Sequence, residues 1–143
     1  AANIKRRFDR GESSILLGTG SFWEGVDFSH QNQVIQIITR LPFDNPKEFM
    51  VQKVNARLRD QGKNPFYDFS LPVAILRLKQ AIGRTSRSDE QESLVLLLDQ
   101  RVFTKRYGKQ ILDGLKQVLP LQTTLRSQLV DQARHFFERN REK

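Results

Sequence analysis

The chain has 143 residues, enough for one domain with a buried core, and its 24 Lys and Arg outnumber its 16 Asp and Glu. The absence of cysteine excludes disulfides, thiolate metal sites and iron–sulfur clusters within these residues, and no apolar run approaches the roughly 20 residues of a membrane span, so a soluble protein is expected. The net charge of +8 favours polyanionic partners such as nucleic acid or nucleotide phosphates, the plainer alternative being a solvated basic surface.

The first residues, AANIKRRFDRGE, are basic but have no apolar run behind them, so no secretory signal is expected. The chain opens on Ala1 rather than Met, which suggests a piece of a longer protein. Residues 3–12 read as a short helix closed at Gly11. SSILLGTG follows as a buried strand running into a glycine-bearing loop. NQVIQIITRLPF alternates and is β-branched, which predicts a second strand stopped by DNP. From Pro46 to Arg59, Phe49, Met50, Val54 and Leu58 recur at helical spacing, with Pro46 placed in the first turn.

QGKNPFYDFS reads as a loop whose aromatics, Phe66, Tyr67 and Phe69, dock on something rather than stay free; they form a hydrophobic plug or stack on bases. LPVAILRLKQAIG predicts a helix with proline at its start, and SLVLLLD a buried strand of the continuous aliphatic kind that parallel sheets use. RVFTKRYGKQILDGLKQVL and TLRSQLVDQARHFFERN are amphipathic. The latter carries Leu125, Leu129, Ala133 and Phe136 or Phe137 on one stripe. Strands alternating with helices predict an α/β sheet covered on both faces, with ligands at the carboxyl ends of its strands. His30 and His135 stand far apart without a ligand partner, so no metal site is expected.

Two constellations carry chemistry. In GTGSFWEGVDF, Gly18, Thr19, Gly20 and Ser21 let backbone amides approach an anion while the hydroxyls donate to phosphate oxygens. Glu24 and Asp27 flank Gly25 and can accept from ribose hydroxyls, from an arginine or from metal-bound water; the alternative is a turn in which Asp27 caps a short helix. In QAIGRTSR, Arg84 and Arg87 present planar donor forks suited to phosphate, with Gln80 four residues before Arg84. Helix capping plus surface charge is the alternative there.

QAIGRTSR resembles motif VI of superfamily 2 helicases, Q-x-x-G-R-x-x-R, and SFWEGVDF resembles their motif V in the form S-x-x-E-G-x-D-[FL]. With RLPFDNP after it and DQR beyond an aliphatic strand, the pattern is similar to the XPD/DinG branch and covers roughly Ile4 to Leu119. The resemblance implies a three-layer RecA-like α/β domain with a mainly parallel sheet, the second motor domain of an ATP-dependent DNA helicase. It would span residues 1–120, incomplete at its N-terminus, with an amphipathic helix over 121–143 packed on it.

In that family ATP and Mg²⁺ sit between two RecA-like domains, held mainly by the first. Neither a G-x-x-x-x-G-K-[ST] loop nor a D-E-x-H box occurs here, so this piece is expected to be inactive alone. The resemblance implies that Arg84 and Arg87 are arginine fingers toward the γ-phosphate, that Gln80 positions the nucleotide or the attacking water, and that Gly83 permits close approach. Gly25 and Asp27 would lie against the nucleotide, with Glu24 linking it to the strand contacts of Thr19 and Ser21. Trp23, where relatives carry a smaller residue, packs in the core or stacks on a base. Asp99 and Arg101 either stabilise the interdomain cleft or form a local ion pair at a strand-end turn.

The implied partners are single-stranded DNA, or RNA, and the first RecA-like domain of the same chain, in a bacterial cytoplasm and on the nucleoid, with no membrane. Phosphate contacts are expected among Arg40, Lys47, Lys53, Arg57, Lys63, Lys105 and Arg106, of which most are solvated helix faces. A non-catalytic RecA-like nucleic-acid-binding module, or a motor-like domain fused to a 3′–5′ exonuclease, is the competing reading.

Overall fold

The computed structural model describes residues 6, 7, 10, 17, 18, 33–83 and 92–141. The expected helix over 3–12, the strand and loop of SSILLGTG and the whole of SFWEGVDF fall largely or wholly outside them. The described residues form an α/β arrangement in which strand β1 (Gln33–Ile38) pairs with strand β2 (Glu92–Leu97) in a small parallel sheet. The chain between them makes two helices, as a parallel crossover requires.

β1 follows its alternation. Val34 and Ile38 are buried, whereas Ile35 and Ile37 are 50% and 56% exposed on the opposite face. The run of β2 predicted a strand buried on both sides, yet Ser93 to Leu97 are half-buried and Leu98 is exposed. The chain divides into two compact units, one of Ala1–Ile37, Gln80–Leu96 and Leu121–Lys143, the other of Ile38–Lys79 and Leu97–Pro120.

In the second unit the chain leaves β1 through LPFDNP. Asn45 Oδ1 accepts from the Lys47 amide at 3.0 Å and its carbonyl from the Glu48 amide at 3.0 Å, which makes Pro46 the corner of a turn rather than helical. Helix α1 therefore spans Phe49–Asp60, starting later than its periodicity suggested. Val54 and Leu58 are half-buried, but Phe49 and Met50 stay exposed. The helix closes where Gly62 takes φ 70°, the Lys63 amide donating to the Leu58 carbonyl and the Gly62 amide to the Arg59 carbonyl, each at 2.9 Å.

The segment expected to be a loop up to Ser70 becomes helical earlier. Asn64 Oδ1 accepts from the amides of Phe66 (3.0 Å) and Tyr67 (3.1 Å), while Asp68 Oδ2 accepts from the Asn64 amide at 2.7 Å. This reciprocal cap starts a π-helical turn, Phe66–Ser70, that runs into helix α2 (Leu71–Gly83). Leu71, Ala74, Leu78, Ala81 and Ile82 form the buried stripe of α2.

The next amphipathic stretch divides into α3 (Arg101–Thr104) and α4 (Gly108–Lys116), where a single run was expected. Lys105 is extended between them, and Gly108 lies so close to the Val102 carbonyl that a Cβ there has no room. Val102, Ile111 and Leu115 join Leu71 and Leu78 as the unit's core; burying each Leu or Ile is worth about 1.5–3 kcal/mol.

In the first unit, α5 (Leu129–Arg141) follows a 3₁₀ turn at Arg126–Gln128. Leu125 precedes the helix and is exposed, so the stripe begins at Leu129 rather than Leu125. Phe136 and Phe137 meet edge to face with centroids 5.1 Å apart. Among the described residues no helix is long and apolar enough to cross a membrane.

Candidate functional site

Parallel strands present their carboxyl ends together, and here the exits of β1 and β2 are tied by one carboxylate. The Leu98 amide continues the ladder to the Ile38 carbonyl at 2.9 Å. Beyond it, Asp99 is 8% exposed and turns back toward both exits. Its Oδ2 accepts from the Leu41 amide at 2.8 Å, and its Oδ1 from the Arg101 amide at 3.0 Å. The Arg101 guanidinium completes the set, with Nη2 to Oδ2 at 2.6 Å and Nε 3.0 Å from both oxygens.

Arg101 is the main reason that the Asp99 carboxyl is held down at about 2; burial opposes it and the two backbone amides reinforce it. The guanidinium pKa is pushed up in return, by the hydrogen bond with Asp99 first. Arg101 also stands 5.5 Å from the ring centre of Phe43. Of the two readings of DQR, the described geometry is the local ion pair at a strand-end turn. It does more than close a turn, because through Leu41 it fixes the chain leaving the other strand.

The same unit gathers Phe66 into an aromatic cluster, one of the two fates expected for this segment, while Tyr67 stays exposed. Phe66 packs against Phe43 and Tyr107, with centroids 5.5 and 5.0 Å away, and meets Tyr67 edge to face at 5.2 Å. Tyr107 meets the edge of Phe43 at 5.6 Å. Arg77, in the second half of α2, donates to the Pro42 carbonyl at 3.2 Å and to Asp44 Oδ1 at 2.5 Å, which pins the LPFD segment.

Between the strand exits lies an open depression of about 490 Å³ lined by Thr39, Arg40, Leu98, Asp99, Gln100 and Arg101. Of the residues singled out in the sequence, Arg40 stands in its wall and Lys63 is exposed just past the closure of α1. Lys47, Lys53, Arg57, Lys105 and Arg106 are exposed, with Lys53 Nζ 4.5 Å over the Phe49 ring. Gln80 and Gly83 are exposed in the last turn of α2, and a Cβ at Gly83 would meet open space. Thr19, Ser21, Trp23, Glu24, Gly25, Asp27, Arg84 and Arg87 lie outside the described residues.

Thr39 and Gln100 were not among the candidate site residues: Thr39 lies outside any motif, Gln100 stands inside DQR between the two residues singled out there, and the two meet only through strand pairing. Among the described residues no group of His, Cys, Asp and Glu could hold a metal ion. The one buried carboxylate among them, Asp99, is saturated by its donors, so this donor set does not fit Mg²⁺.

Residues 1–118 match a family described as the helicase C-terminal domain. A protein named 3′-5′ exonuclease DinG from Bacillus subtilis is 40% identical over 112 residues, 78% of this chain and 12% of the relative. ATP-dependent DNA helicase DinG from Photobacterium profundum is 40% identical over 105 residues, 73% of this chain and 15% of the relative. Its Escherichia coli namesake is 37% identical over 121 residues, 82% of this chain and 16% of the relative. The chain thus spans about 12 to 16% of the length of these curated relatives.

Proposed function

The chain belongs to the helicase C-terminal domain family, in its DinG branch, and from that premise we propose that it is the second RecA-like motor domain of an ATP-dependent DNA helicase or translocase. The observation that carries this reading is the family match over residues 1–118 together with the intact Q-x-x-G-R-x-x-R spacing from Gln80 to Arg87. The motor occupies residues 1–120, and the segment 121–143 that follows it carries α5 (Leu129–Arg141).

In this proposal Arg84 and Arg87 reach a nucleotide held by the first motor domain. Two guanidiniums placed three residues apart tolerate each other because phosphate oxygens share their charge. During phosphoryl transfer negative charge spreads over those oxygens, and fixed cations there lower the barrier. Gln80 orients the nucleotide or the attacking water, Gly83 and Gly25 let backbone approach, and Asp27 and Glu24 accept from the ribose or from a motif VI arginine. Among the described residues no group fits Mg²⁺; the metal is assigned to the first motor domain and no step here runs through it. Thr19, Ser21, Arg40 and Lys63 contact the single strand through its phosphates, since a translocating motor reads backbone rather than sequence.

A single ATPase series tests the reading. The isolated chain is expected to hydrolyse no ATP, the full-length protein to do so with strand stimulation, and Arg87→Ala in the full-length protein to lose at least about a thousandfold in turnover. Binding of single-stranded DNA by that variant should persist. Normal turnover in Arg87→Ala, or vigorous hydrolysis by the isolated chain, would sink the assignment. The Bacillus subtilis relative's name favours a second reading of the parent protein, in which an exonuclease domain accompanies the motor.

A further inference from the structure

The depression at the strand exits has an uneven charge pattern. Arg101 lines it, yet both oxygens of Asp99 engage its guanidinium, so this pair brings no net charge to the basin. Arg40 lines it too, is exposed, and makes no ion pair with any described residue. Beside it stand the hydroxyl of Thr39 and the side-chain amide of Gln100, both exposed and neither bonded within the described residues. The basin therefore offers, among the described residues, one uncompensated cation, two neutral donors and no uncompensated anion.

That inventory matches one phosphodiester group, which carries a single negative charge and two free oxygens. A nucleotide's terminal phosphates carry more charge than one guanidinium can balance. From this geometry we infer that the basin is a subsite for one phosphate of a bound single strand, held by Arg40 with Thr39 and Gln100 as neutral donors. Asp99 is a positioning residue for it. By accepting from the Leu41 amide and clamping Arg101, it fixes the Thr39–Leu41 segment against Gln100 and keeps Arg101 from acting as a second cation. The inference rests on the nucleic-acid reading above and adds to it a site with a defined charge.

The experiment is a salt titration of oligodeoxythymidylate binding to the full-length protein by fluorescence anisotropy, with an ADP titration alongside. Removing one phosphate contact lowers the slope of log K against log salt by about 0.7 for a single strand. Arg40→Ala should show that drop with roughly tenfold weaker binding, and Arg40→Lys should keep the slope. Thr39→Val and Gln100→Ala should each weaken binding roughly two- to fivefold with the slope unchanged. Arg40 is exposed, so the melting temperature of Arg40→Ala should match the wild type and remove misfolding as an explanation.

An unchanged slope in Arg40→Ala overturns the inference while leaving the nucleic-acid reading intact. A loss of ADP affinity in Arg40→Ala with strand binding intact also overturns it, by assigning the basin to the nucleotide. Failure of the wild-type protein to bind the oligonucleotide overturns both readings.

Discussion

Asp99 concentrates in one side chain what holds the strand exits together. A carboxylate 8% exposed that accepts from two amides and a guanidinium is stabilised as the anion, which is why its pKa falls from 3.8 to about 2. The unfolded chain lacks these donors, so the group releases its proton more readily when folded. Its contribution, about 2 kcal/mol, is complete above the unfolded pKa and is lost as pH falls through the folded value near 2. Asp99→Asn keeps the shape and removes the charge, leaving Arg101 without its counterion. The expected cost at pH 7 is about 2–3 kcal/mol, a fall in melting temperature of roughly 6 to 12 °C. Denaturant melts of both proteins between pH 7 and pH 2 should show the gap close as the wild type protonates. A gap independent of pH would mean that charge is not what Asp99 supplies.

At the scale of elements, the break between α3 and α4 falls at the extended Lys105 and is followed by a close backbone contact at Gly108. Gly108 meets the Val102 carbonyl, and a main-chain group cannot rotate away. Gly108→Ala should therefore cost about 3 kcal/mol, seen as a lower urea midpoint. Gly114 is the control. A Cβ there would come within 2.9 Å of Ile75 Cγ2, a branch methyl on a stiff β-carbon that must give way. The helix propensity that alanine gains, about 1 kcal/mol, offsets part of this, so Gly114→Ala should cost about 1 kcal/mol, less than Gly108→Ala. Equal costs would mean that the close contact with Val102 is not what holds position 108 to glycine.

These elements show what is legible in the sequence. The strands β1 and β2 and the helix α2 could be read directly, because period two, aliphatic runs and helical stripes are local signals. The start at Asn64-Pro65 is less legible, because an N-cap residue followed by proline stands there inside a stretch whose Gly, Asn, Pro and Ser content is that of a loop. The division at Lys105 was hidden because the α3–α4 stretch keeps one helical pattern across it. Motif VI is legible as a spacing from Gln80 to Arg87, whereas the basin of Arg40 and Gln100 is not, since its two sides lie far apart along the chain and meet only through strand pairing.

At the scale of the whole molecule, the surplus of positive charge is unevenly divided between the two compact units. Ile38–Lys79 with Leu97–Pro120 contains 13 Lys and Arg against 6 Asp and Glu, while the other unit holds 11 against 10. Nearly all of the net charge thus belongs to the unit that contains the strand-exit basin, the closure of α1 and the exposed Lys105 and Arg106. Attraction to a polyanion depends on local rather than total charge, because salt screens beyond about 10 Å. Two triple variants of the full-length protein separate a general charge effect from a located one. Lys47, Lys63 and Lys105 changed to Gln should weaken oligodeoxythymidylate binding and lower its salt slope by about 0.7 for each cation that touches a phosphate. Arg6, Arg126 and Arg134 changed to Gln remove the same charge from the other unit, at exposed positions, and should leave the slope unaltered. Equal slopes in the two variants would show that the uneven division of charge does not decide where the strand is held.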